Sequence, residues 1–427
     1  MAIVILHRAA LSGAPYHEWL ADSNEPLFLI TSQEKLNAFS ERIEDLPKNA
    51  YEKVVSIEDY DCNGQVELIV LEIARTHKIK TIVAQAEFDV ERAARLREFL
   101  GISGQTIESA RVFRNKVIMK ETARNGGIKV ADWAVIEHSI SLFDFVKEKG
   151  FPVVVKPQNG AGSYGITVLR DQTELNRFID CGFTLPLDIR PNLMVETFVE
   201  GRTYHVDGFV LDGVLVMSTP SIYVTESLDF LADNGEATAS HLLSSDNPLT
   251  DRLQHFISSV LAVLPTPKTT TFHAEVFVTP DECLVLCEIA SRTGGARIND
   301  SLNTAFDINI SENWARAECS LPVRFELPEK GTLLLPKCLS GWAIVAPKPG
   351  KVKKLPEKCE IENVVDFTMN IKIGDLLSAP IAATQGIASF VFIAKNEVDA
   401  GNLVMGCRTW FYENTSIIDY DYDNTKF

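Results

Sequence analysis

The stretch Thr271–Asn299 reads TFHAEVFVTPDECLVLCEIASRTGGARIN and sets two carboxylates, Glu275 and Glu288, among β-branched and aromatic residues. Val278 and Cys283 flank a Thr279-Pro280-Asp281-Glu282 turn, so the runs on either side are expected to form a hairpin. Whether that turn is tight or wide, the register pairs Glu275 with Leu286 and His273 with Glu288. Strand alternation then puts Glu275, Leu286, His273 and Glu288 on one face, with the glutamates as diagonal neighbours roughly 7–8 Å apart. The rest of both faces is apolar. Two carboxylates in such surroundings need a cation or strong hydrogen bonding; solvated glutamates on an edge hairpin are the plainer alternative. Hard cations such as Mg2+ take oxygen ligands and keep phosphates in their shell, so a phosphate cradle is expected elsewhere.

The cradle is expected in Lys156-Pro157-Gln158-Asn159-Gly160-Ala161-Gly162-Ser163-Tyr164-Gly165. Glycines let backbone N–H groups converge on phosphate oxygens, and a strand-borne lysine adds fixed positive charge. Gly160, Gly162 and Gly165 satisfy G-x-G-x-x-G, but Ile166 to Leu169 continues as a strand, so the loop is a hairpin flap and not a dinucleotide fingerprint. No HRD, DFG or GxxxxGK[ST] motif accompanies it.

At 427 residues the chain has room for two or three domains, and 46% hydrophobic with 23% charged residues is ordinary for a globular protein. A net charge of −17 argues against non-specific nucleic-acid binding and favours a small partner. The eight cysteines have no CxxC pair, as expected of reduced thiols. MAIVIL is too short for a signal-peptide core and no apolar run matches a bilayer span, so a cytoplasmic location and no membrane association are expected.

Residues 1–112 alternate short apolar runs with helical patterns, which implies a parallel, doubly wound, Rossmann-like α/β domain. An α+β region follows over 113–322, with a flap subdomain at about 130–198 and one helix over 114–127 carrying Lys116 and Lys120. Thr219–Leu249 reads as polar and irregular, and Asp251–Leu264 as an amphipathic helix. Residues 323–427 read as a β-rich third region of short strands.

Three pieces occur in order: ARVFRNKVIMKE with Lys116, the VVVKPQNGAGSYG flap, and EVFV…CEIASRTGG. Together they resemble the ATP-grasp superfamily of carboxylate ligases over residues 1 to about 320. APKPGKV and IKIGDLL are similar to the C-terminal domain of bacterial L-amino acid ligases. The resemblance implies ATP as substrate with one or two Mg2+ ions, or Mn2+, on Glu275 and Glu288. It implies that Lys116 and Lys156 bind phosphates beneath Gly160, Ala161, Gly162, Ser163 and Gly165, and that Glu196, Thr197, Phe198 and Val199 hold adenine. Relatives carry a glutamate after the Glu200-Gly201 pair where this chain has Thr203, which leaves Glu200, His205 or Asp207 for the ribose. Leu286 joins this nucleotide set. Relatives also read E-x-N-x-R where this chain has Ala290, which cannot ligate.

The implied chemistry activates a carboxylate as an acyl phosphate and transfers it to an amine, with release of ADP and phosphate. Arg292 is the candidate for stabilising the transferring phosphoryl group, with Gly294 and Gly295 offering N–H groups to the same charge. Glu236 and His241 are candidates for the donor ammonium, Arg297 and Asn299 for the acceptor, and His273 for a supporting hydrogen bond. Lysines at 348, 351, 353, 354 and 358 form a basic stretch that suits an acidic carrier protein if the acceptor is a thiol. A non-catalytic ATP-binding regulator is the third alternative, and a homodimer is compatible with all three.

Overall fold

The computed structural model describes residues 1–182, 192–224, 238–380 and 386–418. Near the N-terminus four parallel strands, Ala2–His7, Leu27–Ser32, Lys53–Ile57 and Ile79–Ala84, lie in the order third, second, first, fourth. Ala2 to Leu6 are buried on both faces, as a helix-covered parallel sheet demands. The helices Gln65–Thr76 and Asp89–Leu100, the latter ended by Gly101 at φ 65°, cover the face of Val4 and Leu6, while Tyr16, Trp19, Leu36 and Ala315 cover that of Ile3 and Ile5.

The helix expected over 114–127 spans Lys116–Asn125, and a separate helix, Ile107–Arg114, precedes it. Asn115 sits between them in extended backbone and its Oδ1 accepts from the N–H groups of Val117 and Ile118. This N-cap starts the second helix with Lys116 in its first turn. A four-stranded antiparallel sheet follows, ordered Trp133–Ile136, Leu193–Thr197, Val153–Pro157 and Thr167–Leu169. Its last pair is the flap hairpin, with Val153 opposite Leu169 and Val155 opposite Thr167.

The centre of the protein is an eight-stranded sheet in the order Leu284–Ala290, Thr270–Val278, Arg202–Leu211, Val214–Tyr223, Thr238–Leu242, Leu339–Val345, Ala388–Ala394 and Val364–Met369. One face packs on the helix Pro248–Val263 through Leu253, Ile257 and Val260, against Phe272, Ala274 and Val276. Three strands of the third region thus extend this sheet, and three more, Leu376–Leu377, Gly350–Lys354 and Ser416–Ile418, form a small antiparallel sheet of their own. The region also contains a helix, Glu397–Asn414.

Two expectations fail here. The polar stretch beginning at Thr219 is strand at both of its described ends, where Thr219–Tyr223 continues one central strand and Thr238–Leu242 forms the next, and only 243–247 then run as loop before the helix at Pro248. Ser221, Ser240 and Thr238 are buried all the same, because their shared face lines the cavity described below. The hairpin register also differs. Glu275 pairs with Glu288, His273 with Ala290 and Val276 with Leu286, through a bulge between Glu275 and Val276. The extra residue is Cys287; it makes the glutamates direct neighbours and turns Leu286 to the opposite face.

Candidate active site

A cavity of about 410 Å³ lies between the flap, the central sheet and the N-terminal sheet. Lys116, Lys156, Gly160, Ala161, Gly162, Ser163, Glu275, Glu288, Arg292 and Gly295 all line it. The loop's path needs glycine at two positions. A Cβ on Gly160 or Gly165 would press on Pro157 at 3.2 and 3.1 Å, and Gly165 has φ 73°. A second, more apolar cavity of about 570 Å³ opens beside it, lined by Val154, Glu196, Thr197, Phe198, Val199 and Phe277. Lys156, Ser163, Glu275 and Cys287 border both spaces.

The charges in this region are paired. Lys116 Nζ lies 2.9 Å from Glu288 Oε2 and donates to the Gly160 carbonyl at 2.7 Å, which ties helix, flap and hairpin together. Lys156 Nζ lies 2.6 Å from Glu196 Oε1, and the fully buried Lys120 Nζ lies 3.0 Å from Oε2. Burial opposes the charged forms, but the Glu196 carboxylate holds Lys156 well above its ordinary value, and the two lysines hold Glu196 below its own. The Glu196 carboxylate is thus committed to lysines, while Thr197, Phe198 and Val199 line the apolar space. Burial likewise opposes ionisation of Glu288, and Lys116 and Lys156 outweigh it.

Glu275 and Glu288 sit face to face on neighbouring strands. Like charges so placed repel. Lys116 offsets Glu288, while Glu275 accepts from the Tyr223 hydroxyl at 3.0 Å and lies 3.7 Å from His273 Nε2. Oxygen donors on two rigid strands, bordering a space lined by lysines and flap glycines, suit a hard cation that shares its shell with phosphates. Ala290 adds no ligand, as its side chain has none to offer.

His205 and Asp207 are not ribose contacts. Both are buried under the floor, where Asp207 accepts from His205 Nδ1 at 2.5 Å and from His273 Nδ1 at 2.9 Å, and His205 Nε2 is 2.5 Å from Ser240 Oγ. Glu200 lines neither space, whereas Thr203 lines the apolar one. His273 is the supporting residue expected beside the glutamates: burial lowers its proton affinity, but Asp207 outweighs this and pushes its pKa up to about 10. The three groups lie close enough to share a metal ion, yet both imidazoles already donate to the carboxylate between them.

Arg292 lines the cavity, but its partner is Glu87 from the N-terminal sheet and not Glu288. Glu87 also holds Arg114, whose Nη2 donates to Asn159 O at 3.1 Å, so one carboxylate links Arg292 to the flap's base. Of the paired glycines only Gly295 reaches the cavity. Gly294 is there for space, since a Cβ would lie 2.7 Å from Asp207 Oδ1. Leu286 lies in the core on the sheet's far face, its N–H donating to Lys129 O, and so does not touch the nucleotide space.

The residues expected to grip substrates mostly lie elsewhere. Glu236 is outside the described residues. His241 is buried and its Nδ1 pairs with Leu242 O at 2.8 Å, and Asn299 donates to Ser311 Oγ. Arg297 is a latch: it holds Asp300 at 2.6 Å, Thr368 at 3.0 Å, Ser389 at 2.9 Å and Asp366, clamping the C-terminal strands onto the segment that follows Arg292. Asp366→Asn, at a half-exposed ion pair, is expected to cost about 0.5–1 kcal/mol in chemical denaturation; an unchanged unfolding curve contradicts the latch. Glu87, Tyr223 and Trp342 border the cavity and no spacing in the sequence marks them.

Residues 149–300 match the ATP-grasp domain family. Over those residues the chain is similar to the ATP-grasp domain, and the relatives it resembles are ligases. More particularly, it is 23% identical over 354 residues to the L-arginine-specific L-amino acid ligase of Bacillus subtilis, covering 81% of this chain and 82% of that one. It is 27% identical over 149 residues to the D-alanine–D-alanine ligase of Geobacter sulfurreducens, covering 34% and 45%. Among solved structures, the L-amino acid ligase of Bacillus licheniformis superimposes with a TM-score of 0.73 at 13% identity over 99% of each chain. Phosphoribosylglycinamide synthetase from Anaerococcus prevotii does so at 0.66, with 13% identity over 98% of this chain and 99% of that one.

Proposed function

We propose that the protein activates an amino acid, or a similar small carboxylate, as an acyl phosphate and passes it to an amine, forming an amide and releasing ADP and phosphate. The observation that carries this reading is the convergence of Lys116, Lys156, the flap glycines, Glu275, Glu288 and Arg292 on one cavity. A free carboxylate is a poor acylating agent because oxide would have to leave. Attack of its oxygen on the γ-phosphorus of ATP breaks the bond to ADP and installs phosphate as the leaving group. The amine nitrogen then adds to the acyl carbon, and phosphate departs as the amine loses its proton.

In this scheme adenine occupies the apolar space against Phe277 and Phe198, and Lys156 meets the phosphates where the two spaces join. Lys116 exchanges Glu288 for a phosphate oxygen. Glu275 and Glu288 would hold Mg2+, which when bound neutralises phosphate charge and aligns the β and γ groups. Arg292, steadied by Glu87, faces the transferring phosphoryl group and then the tetrahedral oxyanion. The closed flap keeps water from the acyl phosphate. We place this chemistry in the cytoplasm, on small-molecule substrates; among the described residues no helix is long and apolar enough to cross a membrane.

Incubation with ATP, Mg2+ and pools of amino acids tests the proposal. Phosphate release with a product mass equal to the two acids less water is expected. Formation of AMP and pyrophosphate contradicts it, because that marks adenylation.

A further inference from the structure

Lys116 and Lys120 stand one turn apart on the helix Lys116–Asn125, so both leave it on the same face. Lys116 borders the cavity and meets Glu288. Lys120 borders neither space and is 0% exposed, so no ligand touches it. It reaches the flap sheet instead, where its Nζ lies 3.0 Å from Glu196 Oε2 while Lys156 Nζ lies 2.6 Å from Oε1. The strand register fixes this meeting. Glu196 faces Val154, and Lys156 comes two residues after Val154, on the same side of the sheet.

Two ammoniums on one carboxylate carry a net positive charge. Lys156 and Glu196 would balance without Lys120, and burying a further ammonium is costly. An anion arriving beside the group offsets that cost. Burial opposes the charged form of Glu196, and Lys120 is the largest single attraction that restores it. Of the three residues, Lys156 borders both spaces and Glu196 the apolar one. The surplus charge is therefore presented to a ligand through Lys156.

We propose that Lys120 is a positioning residue for nucleotide binding: by sharing the Glu196 carboxylate it leaves Lys156 with charge to give to the phosphates, which Lys120 itself never touches. This rests on the nucleotide site proposed above. Without Lys120, Glu196 and Lys156 close into a neutral pair, and an incoming phosphate has to compete with the carboxylate for the same ammonium. A unit charge on the order of 10 Å from a diphosphate, at an effective dielectric of about 20, alters affinity by about tenfold or more.

The test is equilibrium titration of the full-length protein with Mg2+ and either ADP or adenosine. Lys120→Met is expected to weaken ADP by about tenfold or more and to leave adenosine within about threefold, because adenosine has no phosphate to feel the lost charge. Adding Glu196→Gln removes the matching negative charge and is expected to return ADP to within about threefold of the wild type. An unchanged ADP affinity in Lys120→Met, an equal loss for adenosine, or no recovery in the double variant overturns the role. If Lys120→Met does not fold, Lys120→Gln, which keeps a donor toward Glu196, carries the same three expectations. A wild-type protein that binds no ADP sinks the nucleotide site and this role together, whereas ADP binding indifferent to Lys120 sinks this role alone.

Discussion

Replacing Arg292 with lysine is expected to lower kcat by about 10²–10³-fold while the protein still binds ATP. The guanidinium has a divided task. Its Nε is held by Glu87 and its Nη1 donates to Thr293 O at 2.7 Å, which fixes the plane and leaves the rest of the fork to the cavity. Burial opposes its charge and Glu87 more than restores it. A lysine carries a point charge that can follow Glu87 or face the phosphoryl group, but not both. Lys116, Lys156 and the flap are untouched, so nucleotide affinity measured by equilibrium titration should stay within a few-fold. A variant with wild-type turnover in the phosphate-release assay contradicts the role given to Arg292.

The second large effect concerns the floor. Asp207→Asn is expected to destabilise the protein by about 3–5 kcal/mol, because it removes one partner from a buried charged cluster. The amide can accept from one imidazole but must turn a donor toward the other, and neither His205 nor His273 has another carboxylate as close. Burial raises Asp207's proton affinity, but His273 and His205 more than reverse this and hold it well below the ordinary carboxylate range. Its contribution is therefore present above about pH 4 and lost as the pH falls below that. His273 runs the other way: with a folded-state pKa near 10 against 6.5, its contribution is complete below pH 6.5 and fades as the pH rises to about 10. Denaturation midpoints of the wild type should accordingly decline between those pH values, and Asp207→Asn should flatten that decline. Equal slopes in the two proteins contradict the account.

Much of this was legible in the chain, for reasons tied to particular residues. Lys156 sits between an apolar strand and a glycine-rich loop, and Glu275 and Glu288 interrupt apolar strands, so each stands out against its local pattern. The parallel sheet near the N-terminus was legible because its strands are apolar on both faces and separated by helical spacing. The hairpin's register was not, because one bulged residue at Cys287 shifts every partner beyond it and moves Leu286 from the site to the core. Thr219 and Ser221 read as a polar loop because polarity usually marks solvent; here it marks a strand whose face turns toward a cavity. Glu87 is a single acid after an ordinary strand. Its importance arises only when the fold brings Arg114 and Arg292 to either side of it.

The latch also joins the last part of the chain to the cavity. Residues 339–394 contribute Trp342 to the cavity and hold Arg297 through Asp366, Thr368 and Ser389. The last part of the chain thus touches both the segment that follows Arg292 and the wall of the cavity.

The most direct measurement is a crystal structure with ADP and Mn2+, recorded at the manganese absorption edge. The account predicts an anomalous peak bridging carboxylate oxygens of Glu275 and Glu288, with the diphosphate beneath the 160–165 loop and the base against Phe277. Manganese found away from this pair, or a nucleotide lying outside the flap with Lys116 still on Glu288, would contradict it.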